Sequence, residues 1–182
     1  MDEKEPSNTI VLKVGYDKSN IFIYVIGEAT MIVAPTLKKF AFDIIDQFNE
    51  NAPSNIYLNL SECKYMDSTF IGTLILLEKQ CVNNLNKHIL LTSPSGYCHE
   101  VLEQMGLLKV FTIIDFPETE DIKLASLEMQ DMDRLESAIL MYQAHEELSG
   151  INENNKKQFS VVTKMLKKEI EKEIGKKEKK KP

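Results

Sequence analysis

Two short β-rich hydrophobic runs open the pattern, Ile10–Val14 and Ile21–Ile26, separated by Gly15-Tyr16-Asp17-Lys18-Ser19-Asn20. Such runs around a polar turn segment predict two adjacent strands. After Ala34-Pro35, a pair suited to the first turn of a helix, the apolar positions switch period. Leu37, Phe40, Ala41, Ile44, Ile45 and Phe48 fall at i, i+3, i+4, i+7, i+8 and i+11, the stripe of an amphipathic helix. Asn51-Ala52-Pro53-Ser54 stops it, and Asn55–Leu60 returns to alternation, with Ile56, Leu58 and Leu60 on one strand face. Helical spacing resumes from about Thr69 to Asn83 through Ile71, Leu74, Ile75 and Val82, which places Asp67 and Ser68 where helix N-caps belong.

The pattern continues with a short buried strand, Ile89-Leu90-Leu91. Ser93-Pro94-Ser95 then opens a helix carrying Cys98, Val101, Leu102 and Met105 on one face, and Gly106 ends it. Val110–Ile114 reads as a last strand, and Pro117-Glu118-Thr119-Glu120 as the acidic first turn of another helix. The string β-β-α-β-α-β-α-β-α is that of an α/β fold: a mixed sheet of about five strands covered by about four helices. Beyond about Glu128 the character changes. Met132, Leu135, Ile139 and Tyr142 mark one helix ending near Gly150, and Phe159, Val162, Leu166 and Ile170 mark a second. The expected organisation is a domain over residues 1–128, a helical extension over 129–175 forming a hairpin, and a basic frayed tail over 176–182. The stripes of the extension need covering, either by the domain or by a second copy of the chain in a homo-oligomer.

Composition narrows the class. With 43% hydrophobic and 27% charged residues over 182 positions, the chain is globular rather than disordered. No apolar run reaches the ~18 residues of a membrane span, and Met1-Asp2-Glu3-Lys4-Glu5 is not the start of a signal peptide, so no stable membrane insertion is expected and the localisation reads as cytoplasmic. The net charge of −6 conceals a split: residues 1–163 carry −11 and residues 164–182 carry +5. An acidic body disfavours direct nucleic-acid binding, which needs Lys and Arg clustered on the folded surface.

Few residues could carry chemistry. Cys63, Cys81 and Cys98 have neither CxxC spacing nor an even count, and read as small buried apolar side chains. His88, His99 and His145 lack the i, i+4 partners of helical zinc sites and read as ordinary surface or half-buried residues. Phosphate-cradling glycine loops and the G-x-S-x-G elbow are missing from the sequence, so no cofactor, metal or catalytic residue is expected, and the chain is not read as an enzyme. That leaves Asp67-Ser68-Thr69 at a strand-to-helix junction. Helix capping alone accounts for such residues.

The neighbourhood adds to that reading. Leu58-Asn59-Leu60-Ser61-Glu62-Cys63-Lys64-Tyr65-Met66-Asp67-Ser68-Thr69 resembles the signature of STAS domains, the sulfate transporter and anti-sigma factor antagonist family. In the antagonist branch a hydrophobic strand and short turn precede Met-Asp-Ser-Ser/Thr-Gly-Leu-Gly and an apolar helix. Met66-Asp67-Ser68-Thr69 and Gly72 match this pattern. Val25-Ile26-Gly27-Glu28, Ala34-Pro35-Thr36-Leu37, Leu91-Thr92-Ser93-Pro94-Ser95 and Leu102-Glu103-Gln104-Met105-Gly106-Leu107 resemble further family segments, in order, over residues 8–128. Two positions depart. Phe70 stands where the family has Gly, and Ala29-Thr30-Met31-Ile32 lack the usual acidic residue after the Gly-Glu turn.

The resemblance implies a STAS-like fold and a phosphorylation switch. Family antagonists bind an anti-sigma factor that is also a serine kinase, and so regulate sigma-factor-dependent transcription in bacteria. Phosphorylation of the serine after Asp, here Ser68 with Thr69 as a secondary hydroxyl, breaks that complex, and a serine phosphatase reverses it. Asp67, Ser68, Thr69, Phe70, Gly27 and Glu28 would then form the partner-binding face, Phe70 either blocking close approach or supplying an apolar contact. A second reading is a STAS subunit of a membrane lipid or solute transport complex, independent of Ser68 phosphate. A third, an enzyme with Ser68 as nucleophile, lacks an identifiable base and oxyanion hole in the sequence.

Overall fold

The computed structural model describes residues 11–47, 53–117 and 122–178. The first two runs form β1 (Val11–Tyr16) and β2 (Asn20–Ala29), an antiparallel pair that sets Val11 opposite Ile26 and Tyr16 opposite Ile21. Asp17 closes their turn, its Oδ1 accepting from the backbone N–H of Ser19 at 2.7 Å and of Asn20 at 2.6 Å. Next come α1 (Ala34–Gln47), β3 (Asn55–Asn59), β4 (Cys63–Met66), α2 (Ser68–Leu85), β5 (Ile89–Thr92) and α3 (Gly96–Gln104). A 3-10 turn at Leu107–Lys109 leads to β6 (Thr112–Ile114) and β7 (Ala125–Ser126), and the chain ends in α4 (Arg134–Ser149) and α5 (Glu153–Glu178).

The sheet runs β6-β5-β3-β2-β1-β7, with β4 beside the end of β2. Its β2, β3, β5 and β6 are mutually parallel, β1 runs against them and β7, antiparallel to β1, shares their direction, a mixed sheet of seven strands with five α-helices among the described residues. Strand alternation sorts the side chains. Ile21, Ile23 and Val25 of β2 join Ile56, Leu58, Leu91, Leu37 and most of the apolar residues of α2 in one core. On the opposite face Phe22 stacks on Tyr57 at 5.0 Å and meets Phe116 at 5.9 Å. Burying each such side chain fully contributes about 1.5–3 kcal/mol. Glu78, 5% exposed, bridges α2 to β5: its carboxylate accepts from the Ile89 N–H at 2.8 Å and pairs with His88 Nδ1 at 2.5 Å.

Several expectations are corrected. Cys63–Met66, read as part of a turn and motif, is a strand pairing with Gly27–Ala29. The helix expected from Pro117 does not extend over the described part of that segment: residues 122–124 are irregular and Ala125–Ser126 pairs with Lys13 and Val14. Glu118-Thr119-Glu120 lie outside the described residues, as do Ile10, Phe48 and Asn51-Ala52. The last core strand begins at Thr112 because Val110 ends the 3-10 turn. The first extension helix buries Ala138, Leu140, Ala144, His145 and Leu148, rather than the stripe beginning at Met132. The second continues through Glu178, with Lys176 paired to Glu173 and Lys177 to Asp133, so 176–178 are helical; residues 179–182 lie outside the described residues. Among the described residues no helix is long and apolar enough to cross a membrane.

Candidate functional site

The site grows from the end of β2. Gly27 adopts φ 85°, a conformation an L side chain strains to reach, and its N–H donates to the Glu62 carbonyl at 3.0 Å, where β4 begins to run alongside. Beyond that irregularity Glu28 lies opposite Tyr65 and Ala29 opposite Met66. The Asp67 N–H donates to the Ala29 carbonyl at 3.0 Å, and the chain then turns into α2. Asp67 is the N-cap, with extended backbone. Its Oδ1 accepts from the Phe70 N–H and its Oδ2 from the Met31 N–H, each at 2.8 Å. One carboxylate thus satisfies a free donor of the α2 first turn and ties it to the approach to α1.

Ser68 is the first helical residue. Its hydroxyl lies 2.9 Å from Nε2 of His145, a ring from α4 that is 5% exposed. Nδ1 of that ring lies 2.7 Å from the Met141 carbonyl, which can only accept, so Nδ1 carries hydrogen. In the neutral ring Nε2 is then the acceptor and Ser68 Oγ–H the donor. The ring packs against Phe159 of α5 at 5.4 Å. Nothing in the sequence pattern joined Ser68 to His145, which lie 77 positions apart; a histidine among the small and apolar residues of an otherwise polar helix was the one available signal.

The seat of α4 on α2 is close. A Cβ built on Gly72 would fall 2.2 Å from the Ala144 carbonyl oxygen and 2.6 Å from its Cα. Around this contact Lys79 pairs with Glu147, Lys38 Nζ donates to Gln143 Oε1 at 3.0 Å, and the amides of Asn152 and Asn155 donate to the Met105 carbonyl at 3.1 and 3.0 Å. Beside Ser68 opens a cavity of about 510 Å³ lined by Tyr65, Asp67, Tyr97, Gln104, Asn154 and Gln158, among others. Asp67 is the one formally charged residue among the described residues lining it. Tyr65 and Tyr97 stack at 5.8 Å on its rim and are roughly two-fifths exposed.

The structure brings Gly27, Glu28, Asp67 and Ser68 together around the β2–β4 end, but not every expected residue is presented. Phe70 is fully buried in the core rather than exposed on that face; as an apolar residue in the first turn of α2 it turns under the helix. Thr69 is 4% exposed and is not a surface hydroxyl. The sequence showed no base for Ser68, whereas His145 holds the position a base would take. All three cysteines are reduced and buried, as read. Burial, with Glu78 nearby, pushes the Cys81 thiol up to about 12, and the hydrogen bond with Cys98, then burial, push Cys63 up. Among the described residues no group of three His, Cys, Asp or Glu could hold a metal ion.

Comparisons with known proteins agree with this architecture. Residues 16–121 match the family model of the STAS domain. TM1081 of Thermotoga maritima, solved by NMR, is similar with a TM-score of 0.50 and 21% identity, over 63% of this chain and 89% of that one. The anti-sigma factor antagonist SpoIIAA in its unphosphorylated form gives a TM-score of 0.49 and 18% identity, over 59% of this chain and 89% of that one. The phosphorylated form of SpoIIAA from Bacillus gives 0.48 and 18%, over 59% and 92%. No curated protein sequence matches the chain. The family match spans more than half of the sequence and falls on the strands and helices that build the Asp67–Ser68 junction, and by it the chain belongs to the STAS domain family.

Proposed function

We propose that this protein is a phosphorylation-switched binding module of the antagonist type, with Ser68 the residue modified. The observation that carries the reading is the placement of the Ser68 hydroxyl: it follows the N-cap Asp67 at the start of α2 and opens on a cavity rimmed by exposed tyrosines. The N–H groups and dipole of a helix N-terminus favour a phosphate by about 0.3–1 kcal/mol. At an interface the same group adds about −1.5 to −2 charge. Desolvating it unpaired costs on the order of 2–5 kcal/mol, so the interface effect outweighs the local one. The partner would be an anti-sigma factor with serine kinase activity, and a serine phosphatase would reset the switch in the cytoplasm.

Ser68→Asp is expected to keep the sheet folded and bind the partner ~30- to several-thousand-fold more weakly, while Ser68→Ala binds and resists phosphorylation. Pull-down from native cytosol with and without phosphatase treatment, followed by phosphosite mapping, checks both. Unchanged affinity after stoichiometric modification of Ser68 would sink the proposal. Co-purification with membrane transport proteins independent of Ser68 would favour the transporter-subunit reading, and turnover lost in Ser68→Ala would make Ser68 a nucleophile.

A further inference from the structure

The position of α4 bears directly on Ser68. The Oγ that would receive a phosphoryl group is hydrogen-bonded to a ring that is 5% exposed, and that ring belongs to a helix whose backbone leaves no room for one methyl group on Gly72. We propose that the α4–α5 hairpin is an internal clamp on Ser68, and that closure of the hairpin and phosphorylation of Ser68 exclude one another. This rests on the reading of Ser68 as the phosphorylated residue.

Phosphorylation transfers the γ-phosphoryl group of a nucleoside triphosphate to Ser68: an O–P bond forms at Oγ, the bond to the diphosphate leaving group breaks, and the hydroxyl proton passes to solvent. With the ring neutral, the modified Oγ has no hydrogen to donate to His145 Nε2, and three further oxygens must find space beside it. On the α4 side the space is filled by the imidazole, by Phe159 behind it and by Ala144 against Gly72. Turning toward the cavity breaks the same hydrogen bond and sets the phosphate beside the Asp67 carboxylate, with no Lys or Arg among the described lining residues. Both directions favour release of α4. By linkage the reverse holds: whatever lifts α4 frees the Ser68 hydroxyl for the kinase.

Hydrogen–deuterium exchange of the full chain at neutral pH tests the clamp through two independent variants. Ser68→Glu places charge at the modified position. Gly72→Ala pushes α4, and His145 with it, off through its Cβ while both Ser68 and His145 keep their side chains. In both, the amides of Arg134–Ser149 are expected to exchange at least tenfold faster than in the parent chain, while those of β2, β3 and β5 keep their protection. Parent-like exchange of α4 in Ser68→Glu overturns the clamp whatever Gly72→Ala shows, and so does equal loss of protection in the sheet, which would make the hairpin an inseparable part of the core. The switch is tested separately: Ser68 found phosphorylated with α4 still protected defeats the clamp alone, whereas released α4 in Ser68→Glu with no phosphate ever mapped to Ser68 defeats the switch alone.

Discussion

Asp67 concentrates more of the local structure than any other side chain at the junction, because its two carboxylate oxygens serve two different segments. Removing both acceptors in Asp67→Ala is expected to lower stability by about 1–3 kcal/mol, the sum of a lost cap and a lost hydrogen bond. Asp67→Asn keeps one acceptor oxygen and is expected to lose about 1 kcal/mol; urea denaturation of the two variants separates the contributions. The cap itself was legible in the sequence, since an Asp before an apolar period-3.6 run has few other places to go. Its second bond was not, because Met31 is 36 positions away and only the return of β4 alongside β2 brings it near. Phe70 shows the same limit from the other side. A departure from the family motif reads as a change in the binding face, whereas the ring sits wholly inside the protein.

At the level of elements, the helices and strands with strong periodicity were readable, and those held by pairing alone were not. β4 is four residues long and β7 two, too short to show a period, and each exists because a neighbouring strand supplies its hydrogen bonds. The register of α4 was misread because its inward face carries Ala138, Ala144 and His145, residues that hydrophobic patterning passes over and that close packing on α2 requires. The N-terminus of α4 is built by a capping box: Asp133 accepts from the Glu136 N–H at 2.9 Å, and Glu136 accepts from the Asp133 N–H at 2.9 Å. The hydrogen bond from Lys177 first, then that from the Glu136 N–H, hold the Asp133 carboxyl below its ordinary value of 3.8. A carboxyl lowered in the folded state adds stability that is present above its unfolded value and is lost as the pH falls through the lowered one. The first turn of α4 is therefore expected to lose exchange protection as the pH drops below about 3.8, and Asp133→Ala to show that loss at neutral pH.

For the molecule as a whole, the main question of organisation is how far residues 1–128 stand alone. We propose them as the folding unit, since they contain the sheet, α1, α2 and α3. The hairpin nevertheless adds Leu140, Leu148 and Phe159 to the same core, an upper-bound contribution of about 5–9 kcal/mol. That is comparable with the ~5–15 kcal/mol of a typical domain. The chain ended at Glu128 is expected to unfold cooperatively at a markedly lower temperature than the full chain, with the outer face of α2 bared; circular dichroism melts check this, and a chain without secondary structure would place the boundary elsewhere. The strap between the domain and the hairpin has a consequence of its own. Residues 125–127 cover the free side of β1, through the β7 pairing and the Leu127 N–H to the Leu12 carbonyl at 2.8 Å. Exposed strand edges recruit strands from other molecules. A protease that nicked this strap would do more than sever the hairpin: it would uncap the sheet, and the cleaved protein would be expected to self-associate edge to edge.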